Sequence, residues 1–330
     1  MSDFKTLKGL YIKHRSSDPS NLIAGEIWYN STTKTLKVAP KIASWASGGN
    51  LNTGRDTYFG GARNGTQTAF RTTGGYASTA NVTNNEAYDG TSWSEDTDHN
   101  TARRGGAGAG TQASMAYFGG YDGTAYTGKT EEWDGSSWTE SGDMSTGRDS
   151  QASCGLTTAA ITMGGNVPPR TDDTEEYDGT SWTAGGDMPG VFANRMGAGT
   201  QTACLAIGGD TSDGPTSSTQ VDSYDGSSFS TLPGTLGSPK SSGGGAGTQT
   251  AAVTFGGITN PNGTTTNTTF TFDGSTWSAA PNMAQTKFHW SAGGGTASAA
   301  IGAGGNPPNT TNNTEEFTNV TTARSVDTST

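Results

Sequence analysis

Hydrophobic and polar positions along this chain repeat with a period of about 45 residues. In the clearest unit, 103–140, a run of small residues is followed by the apolar run Ser114–Phe118, which ends at a Gly-Gly pair. An aromatic-Asp-Gly triplet, Trp133–Gly135, and a further aromatic residue, Trp138, come next. Short apolar runs bounded by glycine-rich and Asp-Gly turns are typical of β-strands, so each unit predicts four short antiparallel strands.

Six such units occur, because a Gly-Gly pair ends an apolar run six times, at intervals of 45, 45, 44, 48 and 48 residues. The pairs are Gly74-Gly75, Gly119-Gly120, Gly164-Gly165, Gly208-Gly209, Gly256-Gly257 and Gly304-Gly305. Four-stranded repeats of this length are typical of a β-propeller, in which one repeat forms one blade. The small residues of Gly106–Gly110 predict that the first strand is innermost, where blades converge. The aromatic residues of the third and fourth strands are then expected to fill the space between blades.

The sixth unit, 287–317, lacks an aromatic fourth strand. Trp45, near the N-terminus, is followed by a glycine and an arginine at the same spacing as Trp138. We therefore predict that 42–47 supply the missing strand and close the ring; the alternative is that Val320–Val326 supplies it. The predicted organisation is an N-terminal segment 1–40, a six-bladed propeller 41–317 and a polar tail 318–330.

Composition and charge narrow the function. With 51 glycines, 30% hydrophobic and 15% charged residues, the chain cannot build the thick aliphatic core of an α/β enzyme. A formal charge of −11 with 19 basic residues disfavours nucleic acid as a partner. Cys154 and Cys204 lie in different repeat registers, so no disulfide scaffold is expected. Neither an apolar run long enough to span a membrane nor a signal-peptide core is present, and synthesis in a cytoplasm is expected.

A basic residue, an apolar strand ending in Gly-Gly, a Glu-Glu-aromatic-Asp run and then Trp recur over 45–317. This ensemble resembles the kelch repeat, although Gly rather than Pro follows the Asp. The resemblance implies an all-β fold, a kelch-like β-propeller with binding functions. It does not name the ligand, because one fold hosts many functions.

A second resemblance lies in 8–38. The runs 8–13 (KGLYIK), 25–33 (GEIWYNSTT) and 36–38 (LKV) look like a segment near the N-termini of bacteriophage tail and fibre proteins. Their alternating apolar positions on either side of a polar loop predict a β-hairpin. A lone hairpin is marginal in water, so we expect it to dock on another virion subunit or on copies of itself; packing on its own propeller is the alternative. The predicted docking residues are Ile27, Trp28, Tyr29, Leu36 and Val38.

No constellation points to catalysis. The histidines His14, His99 and His289 share no repeat register and have no partner at metal-ligand spacing. The aspartates of the Asp-Gly triplets are predicted to form turns through bonds to nearby backbone. We therefore expect neither an enzyme activity, nor a metal, nor a cofactor. A repeated glutamine is predicted to hydrogen-bond buried backbone, at Gln67, Gln112, Gln201 and Gln249.

A basic residue precedes each first strand, and these residues are predicted to form a ring at the channel entrance. Two interpretations remain open: hydrogen bonding between blades, or capture of an anionic sugar or a carboxylate. The six residues are Arg55, Arg103, Arg148, Arg195, Lys240 and Lys287.

The repeats differ from one another mainly in two sets of loops. The turns between strands one and two and between strands three and four are near-copies, whereas the loops after Gly-Gly and after the fourth strand vary and share one face. Loops on a rigid scaffold usually carry function, and aromatic rings beside short polar groups suit sugars. The candidate ligand-binding residues are Tyr76, His99, Tyr121, Asp122, Tyr126, Arg170, Phe192, Asp210, Asp213, Asn262 and His289.

These observations predict a phage virion protein, located in the tail or fibre, whose propeller presents variable loops to a bacterial surface receptor, expected to be a glycan. The expected partners are that receptor and other virion subunits, with several copies per virion and a homo-oligomer as an option; nucleic acid and membrane insertion are not expected. The alternative is a purely structural tail or capsid decoration without a host ligand. A glycan hydrolase ranks third.

Overall fold

A computed structural model describes residues 12–56, 60–211, 216–260, 263–288, 293–306 and 311–326. The described residues form an all-β protein with no helix, and therefore contain no helix that could cross a membrane. The chain divides into two compact units: an N-terminal unit, Met1–Ser44 with Thr318–Thr330, and a repeat unit, Trp45–Phe317. The C-terminal segment thus belongs with the N-terminal unit, whereas the sequence suggested a separate tail.

The N-terminal unit contains the predicted hairpin within a larger sheet. Strand Ile27–Asn30 pairs antiparallel with Thr35–Val38, and Ile27 lies opposite Val38. Lys13–Arg15 adds a parallel strand on one side, and Arg324–Ser325 adds an antiparallel strand on the other. Four strands shield apolar side chains better than two, so this sheet is not the lone hairpin that the sequence suggested.

The repeat unit contains six four-stranded sheets within the described residues, numbered here in chain order. Sheet 1 comprises Gly60–Gly61, Phe70–Thr73, Asn85–Tyr88 and Trp93–Asp96. Sheet 2 comprises Ala107–Gly110, Met115–Phe118, Thr130–Trp133 and Trp138–Ser141. Sheet 3 comprises Ala152–Leu156, Ala159–Met163, Thr174–Tyr177 and Trp182–Ala184.

The later sheets follow the same order. Sheet 4 comprises Met196–Thr200, Ala203–Ile207, Val221–Tyr224 and Phe229–Thr231. Sheet 5 comprises Gly244–Thr248, Ala251–Phe255, Thr269–Phe272 and Trp277–Ala280. Sheet 6 comprises Gly294–Thr296, Ala299–Ala303, Thr314–Thr321 and Lys41–Ser47. Two-stranded ladders join Tyr76–Ala77 to Ala80–Asn81, Phe192–Ala193 to Asp210–Thr211, and Ile258–Thr259 to Thr264–Thr265.

The outer strand of sheet 6 is the one that the sequence predicts. Lys41–Ser47 pairs beside Thr314–Thr321, and its Trp45 ring lies 5.1 Å from the Phe317 ring. The alternative that Val320–Val326 supplies this strand is wrong, because Thr314–Thr321 is the third strand and Arg324–Ser325 joins the N-terminal sheet.

Paired aromatic side chains form much of the core, as predicted. In sheet 3, Tyr177 lies opposite Trp182, and their ring centroids are 4.9 Å apart. Trp182 also lies 4.8 Å from the Phe118 ring of sheet 2 and donates a hydrogen bond to Thr130. Burying a large aromatic side chain contributes about 1.5–3 kcal/mol, so these rings supply a large part of the cohesion between sheets.

One polar contact joins successive sheets repeatedly. Gln112 of sheet 2 donates from Nε2 to the Tyr88 and Phe70 carbonyls of sheet 1. Gln201 and Gln249 make the same two bonds to sheets 3 and 4. Gln67 of sheet 1 bonds the Ala300 and Phe317 carbonyls of sheet 6 in the same way. The prediction that this glutamine hydrogen-bonds backbone groups is confirmed at all four positions.

The first strands of consecutive sheets approach one another closely enough to require glycine. A Cβ on Gly197 would lie 2.2 Å from the Ser153 carbonyl oxygen of the preceding first strand, and one on Gly108 would lie 2.6 Å from that of Gly61. Side chains cannot fit at such separations. The small-residue composition of the first strands therefore follows from their mutual approach.

Candidate binding site at the loop end

In sheets 1 to 6, the connections at the two ends of the strands differ. At one end, here called the turn end, the chain turns from strand one to strand two in sheets 1 to 6 and from strand three to strand four in sheets 1 to 5. At the other, here called the loop end, the chain enters strand one, crosses from strand two to three and leaves strand four. This arrangement follows from antiparallel pairing of consecutive strands.

The turn end repeats one hydrogen-bonding scheme. Asp134 accepts bonds from the backbone N–H groups of Ser136 and Ser137 at 2.8 and 2.9 Å. These bonds lower the pKa of Asp134 to about 2. Equivalent bonds form at Asp89, Asp178, Asp225 and Asp273. The prediction that these aspartates form turns is confirmed. Their carboxylates are engaged in hydrogen bonds to the backbone of their own turns.

The six predicted basic residues are buried, with 0 to 4% of each exposed. Arg55 donates to Glu86 at 2.6 Å, and Arg103 and Arg148 pair with Glu131 and Glu175 of their own sheets. Arg195 pairs with Asp222. These arginines hold carboxylates within one repeat, so neither bonding between blades nor capture of an external anion describes their ion pairs.

Sheet 5 departs from this scheme. Lys240 takes the place of the arginine and Phe270 takes the place of the carboxylate, and the ammonium lies 5.1 Å from the centre of that ring. The ammonium also donates to the Thr268 carbonyl at 2.8 Å. Burial without a carboxylate lowers the pKa of Lys240 to about 7. In sheet 6, burial lowers the pKa of Lys287 to about 8, while nearby Glu315 opposes the shift.

Two candidate ligand residues are core residues instead. His99 is 2% exposed, accepts or donates a bond at Nδ1 with Thr73, and packs against the Tyr117 ring at 5.1 Å. Burial, and then Arg103, lower the pKa of His99 to about 3. Phe192 is 5% exposed and lies under the Arg195 guanidinium at 4.4 Å. Both side chains turn inward from their loops, which explains why sequence position misassigned them.

Three candidate tyrosines assemble at the loop end of the first two repeats. The Arg104 guanidinium lies 5.0 Å from the Tyr76 ring and 5.2 Å from the Tyr121 ring. Tyr126 lies 5.4 Å from Tyr121, with the two rings inclined at 58°. All four residues are half-buried. We call Tyr76, Arg104, Tyr121 and Tyr126 the tyrosine cluster.

Neighbouring loops hold the tyrosine cluster in place. Asn81 donates to the Tyr121 carbonyl at 2.9 Å, and Asn166 donates to the Tyr126 hydroxyl at 2.9 Å. Arg104 was not among the residues singled out from the sequence. Its signal was available, because Arg104 adds a second basic residue directly after Arg103, where the other repeats have one.

The remaining described candidates make contacts within the loops. Asp122 is exposed and accepts bonds from the Thr124 and Ala125 N–H groups, so it shapes its own turn. Arg170 donates to the Thr211 carbonyl at 2.6 Å. Asp210 is only 3% exposed and accepts bonds from Asn194, Ser217 and Asn260. Asp213, Asn262 and His289 lie outside the described residues.

The predicted docking residues of the N-terminal unit differ in exposure. Ile27 is 50% exposed, whereas Trp28 is fully buried and donates from its indole to Asp18 at 3.1 Å. Tyr29, Leu36 and Val38 are half-buried. Trp28 is therefore a core residue of its unit, and its assignment as a contact residue is corrected.

Within the described ranges, no group of three His, Cys, Asp or Glu side chains could hold a metal ion. Both cysteines are free and buried. A surface cleft of about 600 Å³ lies among the loops of the fifth and sixth repeats, lined by Asn267, Ala284, Gln285, Thr286, Thr311 and Asn313. None of these residues belongs to the predicted ligand set. Comparison with protein-family models and with curated proteins finds no match for this chain.

Proposed function

We propose that this chain is a bacteriophage tail or fibre protein in which sheets 1 to 6 form a closed, six-bladed, kelch-like propeller that binds a bacterial surface glycan at its loop end. The tyrosine cluster is the observation that carries the proposal. Its half-buried rings and adjacent guanidinium offer flat apolar faces beside charged donors, the surface that sugar rings and hydroxyls require.

Contacts between sheets 6 and 1 support a closed ring. Tyr88 of sheet 1 donates to Glu316 of sheet 6 at 2.6 Å, as Tyr177 of sheet 3 donates to Glu132 of sheet 2. Trp93 donates to Thr314 at 2.9 Å, as Trp182 donates to Thr130. Sheets 1 and 6 are therefore joined by the same kinds of hydrogen bond as sheets 2 and 3. A closed ring of six sheets explains why the first and last sheets contact each other like consecutive ones, and it leaves no sheet edge open.

The N-terminal unit is proposed to attach the protein to other virion subunits or to its own copies. Four of the five exposed large hydrophobic residues in the described chain lie in this unit, although the unit is much the smaller: Ile23, Ile27, Val320 and Val326. Exposed aliphatic side chains concentrated in a small unit favour a protein contact there.

The mechanism is binding without a chemical step. A single sugar contact is commonly weak, and several linked copies on one particle raise avidity by about 10²–10⁴ when they engage together. The virion location, the multiple copies and the absence of catalysis are parts of this proposal.

A structural decoration without a host ligand is the second candidate. The observation that favours it is the bonding of loops to one another: Arg170 to Thr211, Asn166 to Tyr126 and Asn306 to Asp56. Loops that satisfy one another need no external ligand. This candidate differs from the first in predicting no affinity for any bacterial surface polysaccharide.

Biolayer interferometry of the full chain over immobilised lipopolysaccharides and capsular polysaccharides from a panel of bacteria separates the two. We expect binding to at least one polysaccharide, and a loss of about tenfold or more in affinity for the Tyr121→Ala/Tyr126→Ala variant, because stacking on each ring is removed. The matched control is Tyr29→Ala, which removes a half-buried tyrosine from the N-terminal unit.

Failure to bind any polysaccharide or any whole cell of the panel at high protein concentration favours decoration. Equal affinity of the double variant and the wild type contradicts the assigned site. Shortened polysaccharide chains after incubation with the protein favour the glycan hydrolase instead.

A further inference from the structure

Arg63 lies just beyond the first strand of sheet 1, Gly60–Gly61, in the connection to the second strand, Phe70–Thr73. By its pairing with Thr72, Gly61 holds the position that Gly108 holds in sheet 2 by pairing with Tyr117. In sheet 1 the strand pairing makes room for Arg63: Gly60 pairs with Thr73, whereas in sheet 2 Ala107 pairs with Phe118, so two additional residues lie between the paired positions of sheet 1.

The side chain of Arg63 reaches sheets that are not its sequence neighbours. Its Nε donates to Ser153 Oγ of sheet 3 at 2.8 Å, and its Nη1 donates to the Gly197 carbonyl of sheet 4 at 3.3 Å. Side chains that touch sheets 1, 3 and 4 at once lie in the space that the first strands enclose. The name axial space, used below for that region, rests on the proposed ring.

Arg63 is half-buried and, unlike the buried arginines that precede the first strands, it has no carboxylate partner among the described residues. Arg55, Arg103 and Arg148 each hold a Glu, whereas both hydrogen bonds that Arg63 makes within the described chain end on neutral oxygens. Within the described chain its Nη2 makes no hydrogen bond, and that atom is accessible to solvent. Burial lowers the pKa of Arg63. Charged groups withdrawn from bulk water are normally paired with an opposite charge. Arg63 is an exception, because its guanidinium has no anionic partner in the part of the chain that the structure describes.

We propose that Arg63 binds a small oxyanion, a carboxylate or a phosphate group, in the axial space. The Nη1 and Nη2 edge of a guanidinium matches two oxygens of such a group, and Nη2 is free to donate. Ser153 Oγ donates its own proton to the Gly108 carbonyl at 2.8 Å, so it holds the Arg63 Nε and does not compete for the anion. This site is independent of the proposed receptor site at the loop end.

The test is thermal unfolding of the full chain in chloride, acetate or inorganic phosphate at equal ionic strength. We expect acetate or phosphate to raise the Tm by about 3 °C at ten times its Kd, because a ligand of the folded state stabilises it. Arg63→Met abolishes this rise. Lys129→Met, which removes an exposed cation with a 41% accessible side chain, keeps it.

A rise in acetate alone assigns a carboxylate, and a rise in phosphate alone assigns a phosphate. If Arg63→Met does not fold, Arg63→Lys replaces it, with an expected affinity loss of about tenfold because an ammonium lacks the two-pronged edge. An equal Tm of the wild type in all three salts overturns the inference, as does an equal rise in the Arg63 variant. Neither outcome bears on receptor binding.

Discussion

The turn end and the loop end of the repeats differ in how often the same side-chain contact recurs. At the turn end, Asp134 and its equivalents accept the same hydrogen bonds in a four-residue turn of five repeats. At the loop end, Tyr121 of the second repeat contacts both Tyr126 and Arg104. Of these three residues, only Tyr121 has a counterpart of the same residue type at the same position of another repeat, Tyr76. Uniformity of a repeated contact therefore indicates structure, and local departures from it indicate where a particular function can reside.

The largest expected effect comes from breaking a uniform contact. Arg103→Met leaves Glu131 buried without its cation, and we expect the free energy of unfolding to fall by about 3–5 kcal/mol. Urea unfolding followed by tryptophan fluorescence measures this change. Lys129→Met, at an exposed ion pair, should change stability by less than about 1 kcal/mol. An equally small change in the free energy of unfolding for both variants would show that the buried ion pairs do not stabilise the repeat unit.

The departure in sheet 5 predicts a pH dependence of stability. Burial lowers the pKa of Lys240 to about 7 from an ordinary value of 10.5, so between these values the unfolded chain binds a proton that the folded chain does not. Stability is therefore lost as pH falls from about 10.5 towards 7, and the penalty is complete below 7. Lys240→Met removes it.

Urea unfolding of this variant and of the wild type at pH 6 and pH 10 tests the shift. The gain from Lys240→Met should be larger at pH 6 than at pH 10, by up to about 3 kcal/mol. Lys129→Met serves as the control without such a dependence, because its side chain is 41% exposed. A gain that is the same at both pH values would mean that Lys240 titrates normally.

Contacts between sheets should matter less than the buried pairs. Gln112→Ala leaves the Tyr88 and Phe70 carbonyls without their donor, and we expect a loss of about 1–3 kcal/mol in the free energy of unfolding. Gln285→Ala, on an exposed stretch, provides the matched control. The affinity of the Gln112 variant for polysaccharide should stay unchanged at temperatures where the variant is folded. A weakened affinity would contradict the view that contacts at the turn end serve stability and contacts at the loop end serve binding.

Much of the fold could be predicted because it depends on repeated local signals. The six units, their four strands and the use of Trp45 in sheet 6 all follow from spacing that can be compared within the chain. The direction of a loop side chain has no such signal. His99 turns into the core by hydrogen-bonding Thr73, which is distant in sequence, and Phe192 does so by packing under the guanidinium of Arg195, a nearby residue of the same loop.

The partners of the basic residues were predictable in principle. An acidic residue stands at the second position of the third strand in each of the four repeats that have an arginine, whereas in the repeat with Lys240 that position is Phe270. The sixth repeat combines Lys287 with Glu315. The recurrence of an arginine with an acidic residue in four repeats therefore indicates a contact without any comparison to other proteins. Arg63 is different, because it lies in a longer connection of sheet 1 and has no equivalent to compare, so the sequence does not show that its side chain reaches sheets 3 and 4.

Hydrogen–deuterium exchange of the full chain, with and without a polysaccharide that it binds, tests most directly whether the loop end is the binding face. The account predicts slower exchange in 76–81 and 121–126 on binding and unchanged exchange in the turns 134–137 and 178–181. Slower exchange in those turns, with none in the loops of the tyrosine cluster, would contradict it.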